Sequence, residues 1–229
     1  MLRMVATPIG NLEDIGARAL RTLREADALA CEDTRRTRKL LNHYGIPMPR
    51  LVLSYREGAE ERAGKRLLDW LEQGLNVALC SDGGYPGISD PGYRLARALL
   101  ERGADFEVIP GPSAAPVALL LSGLPTSSYT FKGFPPRKPG PLRRFFEEER
   151  DRPHTLICFE SPFRIGKTLA AAHEALGNRD AAVCIELTKK FERAHRGGLR
   201  DLAERFADEP VKGEVTLVVA GNHPKFTSD

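Results

Sequence analysis

Short apolar runs alternate with helical patterns along almost the whole chain, and this rhythm constrains the fold more than any other feature. In order, the runs LRMVAT, DALACED, RLVLSY, NVALCS and DFEVIP read as strands. Between them LEDIGARALRTLREA, TRRTRKLLNHY, EERAGKRLLDWLEQ and PGYRLARALLER read as helices, with Gly45, Gly74 and Gly103 as stops. The second half continues with helices SAAPVALLLSG, GPLRRFFEEER, RIGKTLAAAHEAL and LRDLAERFA, and strands YTFKGF, HTLICFE, AAVCIEL and GEVTLVVAG. Such alternation predicts an α/β architecture. The segment SAAPVALLLSGL is apolar nearly all round, which predicts a buried helix. A domain boundary is expected near Pro112, dividing the chain into 1–112 and 113–229.

The totals exclude some classes. The formal net charge of +3 over 229 residues does not by itself mark a nucleic-acid binder, so the local placement of Arg and Lys decides. The four cysteines lie in apolar runs without a CxxC pair, and the five histidines show no ligand spacing, so no metal is expected. Buried reduced thiols predict a cytoplasmic chain. No apolar run has the length of a membrane span, and MLRMVATPIGN lacks the layout of a signal peptide.

In open α/β sheets ligands bind beyond the carboxyl ends of the strands. The segments there are TPIGN, EDTRR, SDGGYPGISDPG and PGPSAA in the first half, and KGFPPRK, ESPFR and ELTKK in the second. The third is unusual. A strand-to-helix connection capped by Asp90 explains Asp90-Pro91 but not Asp82-Gly83-Gly84-Tyr85-Pro86, and a ligand loop is the expectation. Thr7-Pro8 also reads as a plain turn, and Ser113 as a helix cap. The dinucleotide fingerprint GxGxxG is absent after the first strand, which excludes a standard Rossmann dehydrogenase. SPFRIGKT ends like a phosphate loop, but Ser161 replaces its first glycine and Pro162 removes a donor, so Gly166, Lys167 and Thr168 read as helix residues.

VATPIGNLEDI, CEDTRRTRKLL, SDGGYPGISDPGYRL, PGPSA, GFPPRK, FESPFR, ELTKKFE and KGEVTLVV, in this order, resemble the ribosomal RNA small subunit methyltransferase I family of the tetrapyrrole methylase superfamily. The resemblance covers nearly the whole chain. It implies two α/β domains with a cofactor cleft between them, S-adenosylmethionine as cofactor, a homodimer, and methylation of a cytidine ribose 2′-hydroxyl in small-subunit rRNA. It places Pro8, Asp82, Gly84, Tyr85, Ser113 and Ala114 at the cofactor, with Phe159, Leu187 and Gly213 enclosing the adenine. Three departures stand out. Gly83 and Tyr85 replace Ala and Thr of the family's Asp-Ala-Gly-Thr-Pro, Phe163 replaces the His of Ser-Pro-His-Arg, and the chain ends at Asp229 where many members continue. The first is expected to reshape the pocket, the second removes a histidine role, and the third bears on RNA affinity or site selection.

A ribose hydroxyl is a weak acid, so a base or an alkoxide-stabilising cation is expected. Glu32, Asp33, Asp82 and Glu160 are the carboxylates to consider, and Arg35, Arg164, Lys189 and Lys190 the cations. Glu160, Arg164 and Lys189 form the expected catalytic set. A purely structural Glu160–Arg164 pair is the equal alternative, and Asp82 reads as a cofactor contact. Phosphate contacts are expected from Arg35, Arg36, Arg137, Lys138 and Lys190, within clusters that also hold Arg38, Lys39, Arg143, Arg144 and Arg193. Phe134 is the aromatic best placed to stack on an unpaired base. Two other readings remain: methylation of a corrin or porphyrin precursor, and a non-enzymatic RNA-binding assembly factor.

Overall fold

The computed structural model describes residues 1–208 and 211–228, the side chain of Ser228 excepted; Asp229 lies outside them. The chain forms two compact units, Met1–Ser113 and Ala114–Asp229.

The first unit is a five-stranded sheet in the order β3-β2-β4-β1-β5. The strands are β1 (Leu2–Val5), β2 (Ala28–Cys31), β3 (Leu51–Ser54), β4 (Val77–Cys80) and β5 (Phe106–Ile109). Every pairing is parallel. Parallel strands need crossovers, which are supplied by α1 (Ala17–Arg24), α2 (Thr34–His43), α3 (Glu60–Glu72) and α4 (Tyr93–Leu100). Alternate residues face opposite helical layers. Leu2, Met4, Ala28, Ala30, Val77 and Leu79 join Leu67, Trp70 and Leu95 in one core. Val5, Leu29, Cys31, Ala78 and Cys80 join Leu23, Leu40 and Leu41 in the other. Burial on both faces is why the inner strands β2 and β4 read as unbroken apolar runs.

The second unit has a mixed sheet in the order β11-β8-β10-β7-β6, with β9 also paired to β8. Its strands are β6 (Tyr129–Phe131), β7 (Thr155–Glu160), β8 (Asn178–Ile185), β9 (Arg193–Gly198), β10 (Val215–Val219) and β11 (Thr227–Ser228). The β6–β7 pair is parallel and the others antiparallel. Helices α6 (Pro139–Glu147), α7 (Ile165–Leu176) and α8 (Leu199–Arg205) cover one face through Phe146, Leu169 and Leu202. Helix α5 (Ala114–Ser122) packs on the strands too, where the Ala118 carbonyl accepts from Cys184 Sγ at 3.8 Å.

Several sequence expectations change. The first helix does not run from Leu12. Asn11 caps a 3₁₀ turn at Leu12–Asp14, Ile15 and Gly16 are extended, and α1 begins at Ala17. Gly92, not Asp90, is the residue before α4, because its φ of 153° brings the chain back against Gly87. Helix α5 is not buried all round: Ala115, Ala118 and Leu119 face inward while Leu120 is 73% exposed. Strands β9 and β11 had no readable pattern, since RAHRGG has no apolar alternation and is held by the ladder to β8. All four cysteines are buried thiols, and burial pushes that of Cys184 up to about 11.

Gly166 shows how packing selects a residue. A Cβ there would collide with the carbonyl oxygen of Phe206 at the end of α8. Gly64, inside α3, has open space where its Cβ would stand. Gly166→Ala is therefore expected to cost about 1–3 kcal/mol in a urea melt through overpacking. Gly64→Ala is expected to stabilise by about 0.5–1 kcal/mol, because alanine loses less chain entropy in a helix.

Candidate active site

At the carboxyl ends of β1, β4 and β5 the connecting loops bind each other through their main chains. Thr7 donates its N–H to the Gly84 carbonyl at 2.9 Å, and Gly84 donates back to Thr7 at 2.9 Å. The exchange forces the loops together, and glycine follows from it. Gly84 sits at φ 81°, and a Cβ on Gly83 would stand 3.3 Å from the Pro8 carbonyl. Tyr85, the departure in the loop, acts as a tether. Its hydroxyl accepts the Gly111 N–H at 3.0 Å, tying the loop after β4 to that after β5. Pro8, Asp82, Gly84, Tyr85 and Ser113 all belong to this edge of the first unit. Ala114 opens α5 in the second.

The loops after β2 and β4 meet through carboxylates. Asp82 Oδ1 accepts the Asp33 N–H at 3.0 Å, and Arg36 Nε lies 3.5 Å from Asp82 Oδ2. Asp33 caps α2 and binds Arg35 by two guanidinium hydrogens, at 3.0 and 2.7 Å. Those bonds hold its carboxyl well below the usual range. Glu32 goes the other way. Burial first, and then the Asp82 charge, raise its pKa, although it accepts the Asp82 N–H. A half-buried carboxylate kept more basic than usual beside a second carboxylate is a pattern of acid–base sites.

In the second unit the loop after β8 is strained. Glu186 has φ 53° and Thr188 φ 62°, on either side of buried Leu187. A β-branched residue rarely occupies that region, and such strain concentrates at ligand sites. Gly213, opposite, sits at a φ of 99° that side chains rarely adopt, and a Cβ there would also displace the Glu186 side chain. Lys189, in the expected catalytic set, donates to Glu186 Oε1 at 2.8 Å and Glu214 Oε2 at 3.0 Å. Burial would lower its pKa, but those two carboxylates outweigh it and raise it. Lys190 is exposed beside Phe191.

Glu160 and Arg164 form an ion pair in the structure. The Glu160 side chain is fully buried. It accepts from Ser161 N at 2.6 Å and from Thr168 Oγ1, and pairs with Arg164 Nη1 at 3.4 Å. Arg164 Nη2 donates to the Pro136 carbonyl at 2.8 Å, and both terminal nitrogens reach the Pro135 carbonyl at 3.4 Å. Phe159 packs edge-on against Phe131 and Phe134. Arg137 and Lys138 are exposed and pair with no carboxylate among the described residues, whereas Arg35 and Arg36 face Asp33 and Asp82.

Comparison with known proteins decides the family. The model of the tetrapyrrole (corrin/porphyrin) methylases matches residues 1–203. Ribosomal RNA small subunit methyltransferase I of Halalkalibacterium halodurans is 48% identical over 98% of this chain and 77% of the relative. That of Thermotoga maritima is 41% identical over 96% of this chain and 98% of its own. The chain belongs to the ribosomal RNA small subunit methyltransferase I family, within the tetrapyrrole methylases. Solved structures share the fold at low identity. Diphthine synthase has a TM-score of 0.72 at 17% identity, covering 96% of this chain and 90% of that one. Uroporphyrin-III-C-methyltransferase from Thermus thermophilus has 0.68 at 22%, covering 96% and 93%.

The tyrosine tether, the Arg164 carbonyl contacts and the strain at Glu186 and Thr188 were not foreseen from sequence. The only written signal was the substitution Tyr85, since positive φ at Glu or Thr leaves no mark in composition.

Glu32 gives a test with a definite sign. Its folded pKa is raised, so the folded state binds the proton more tightly and loses stability as pH rises through the interval above the ordinary glutamate value. Glu32→Gln is expected to raise the melting temperature at pH 7, with the gain vanishing near pH 4. A constant gain across that range would mean that Glu32 carries no such strain.

Proposed function

We propose that the protein is an S-adenosylmethionine-dependent methyltransferase acting on a cytidine ribose 2′-hydroxyl of small-subunit rRNA, working as a cytoplasmic homodimer. The observation that carries this reading is the near full-length identity to relatives bearing the rRNA methyltransferase name, together with polar loop ends gathered on one edge of a parallel sheet. The donor set suits the cofactor. The Gly84 amide and carbonyl bind Thr7, so the neighbouring amides of Gly83 and Tyr85 and the carboxylate of Asp82 are the groups that would meet a zwitterionic tail and a nucleoside. Pro8, Asp82, Gly84, Tyr85, Ser113 and Ala114 would hold it. Of the residues proposed for the adenine, namely Phe159, Leu187 and Gly213, the strained backbone around Leu187 supports that position best.

When bound, the cofactor supplies a methyl group on a sulfonium, already activated for transfer. What remains for the chain is alignment, exclusion of water and removal of one proton. Glu32 is the carboxylate we assign to accept the hydroxyl proton, because its raised pKa makes it the better base. Glu160, with its oxygens bonded inside the protein, serves as a brace. Arg137 and Lys138 are assigned to phosphates, with Arg35, Arg36 and Lys190 as outlying contacts.

The deciding experiment is methyl transfer from labelled cofactor to purified small subunits and to naked rRNA, with mass mapping of the product. Ribose methylation is expected; label on a base, or only on a small macrocycle, would overturn the reading. Asp82→Ala is expected to weaken cofactor binding by calorimetry. Glu32→Gln should lower kcat about 10²–10⁴-fold and abolish the acid limb of the pH–rate profile. An unchanged limb would exclude Glu32 as the base.

A further inference from the structure

Phe163, in the turn between β7 and α7, is 91% exposed. An aromatic ring left in water loses the burial that normally stabilises it. Here the loop that carries it is nevertheless held firmly. Ser161 Oγ accepts the Phe163 N–H at 3.3 Å, and the Ser161 carbonyl accepts the Arg164 N–H at 3.0 Å. Below, Glu160 anchors Ser161 N and Arg164 together. From the next residue, Arg164 reaches across to the carbonyls of Pro135 and Pro136. One guanidinium thus joins the Phe163 loop to the segment Phe134-Pro135-Pro136-Arg137-Lys138. Phe134 is 59% exposed and rests edge-on against Phe159, 5.6 Å between centroids. Arg137 and Lys138 follow directly, both exposed.

We propose that this surface of the second unit is a stacking platform for unpaired RNA bases, with Phe163 and Phe134 taking base faces, Arg137 and Lys138 taking the neighbouring phosphates, and Arg164 as the positioning residue that locks the two segments in register. The proposal rests on the rRNA reading above and refines it: the substrate region contacted here is single-stranded. Three features select that occupant. Exposed rings and exposed cations occur on the two segments that Arg164 links, so the ligand is both planar and anionic. Base–aromatic stacking needs an exposed ring face and accepts any base. A duplex hides its base faces and would engage the cations alone. Proline at 135 and 136 limits the main chain, and the Arg164 guanidinium binds the carbonyls of both.

The test is anisotropy with a short labelled single-stranded RNA and a labelled RNA hairpin duplex, run over a salt series. Phe163→Ala should weaken single-strand binding about 5- to 100-fold, leave the salt slope unchanged and leave duplex binding unchanged. Phe163→Leu should lose nearly as much, since bulk without a π face does not stack, and Phe163→Tyr should restore affinity. Arg137→Ala should instead reduce the single-strand salt slope by about 0.7. Arg164→Lys keeps the charge but not the fork that spans two carbonyls, and should weaken single-strand binding while cofactor affinity by calorimetry stays at the wild-type value. Wild-type single-strand affinity in both Phe163→Ala and Phe163→Leu would overturn the platform, as would an equal loss on duplex. Methyl transfer separates the two claims. Failure of the wild-type protein to methylate rRNA sinks the functional reading, whereas single-strand binding that depends on Phe163 supports the platform in either case.

Discussion

Two hydrogen bonds between the main chains of Thr7 and Gly84 hold the candidate site of the first unit together. They form an antiparallel bridge just past the ends of the parallel β1 and β4 strands, which binds the two departing loops to each other. Such an approach would leave a Cβ at Gly83 only 3.3 Å from the Pro8 carbonyl, and it sets Gly84 at a φ of 81° that side chains rarely adopt. Asp82 is then carried to the Asp33 N–H, and Tyr85 to the Gly111 N–H. The glycines of the loop therefore serve first the contact of chain with chain. Any surface they offer to a cofactor is a consequence of that contact. The rise in the Glu32 pKa comes first from burial, and the Asp82 charge that this arrangement sets beside it adds to the rise.

The second unit uses side chains where the first uses main chain. Glu160, buried at the end of β7, organises the turn into α7 through Ser161 and Thr168 and passes its remaining interaction to Arg164. Burying a carboxylate is costly unless every oxygen is engaged, and here both are. The return is a guanidinium held where it can bind two proline carbonyls. Glu186, Glu214 and Lys189 do similar work for the strained turn around Leu187. Residues that look catalytic by type, Glu160 and Lys189 above all, are engaged in shaping loops. Arg137, Lys138 and Phe163 are left outward-facing.

Much of this was legible in the linear pattern. The β1, β2, β4 and β7 segments read correctly because buried strands of such sheets are apolar on both faces. The loops read correctly because glycine and proline cluster where strands end. The break before α1 was not legible, because Leu12, Ile15 and the later apolar residues keep a helical spacing that the Asn11 cap and the extended Gly16 interrupt. Strand β9 was invisible because its ladder to β8 supplies what its own residues lack. The role of Glu160 was left open between base and brace for a comparable reason: a carboxylate four residues before an arginine, after a strand, has the same letters in either case.

The sequence by itself determined the α/β class, the order of the main strands and helices and the family, because periodicity, turn residues and ordered motifs are local properties of the chain. Tertiary structure alone decided which carboxylates are engaged and which is kept basic, that Tyr85 ties two loops, that Leu187 lies between strained neighbours, and that Arg164 braces a proline segment. Each of these depends on distances between residues far apart in the chain, and burial and charge act through distance.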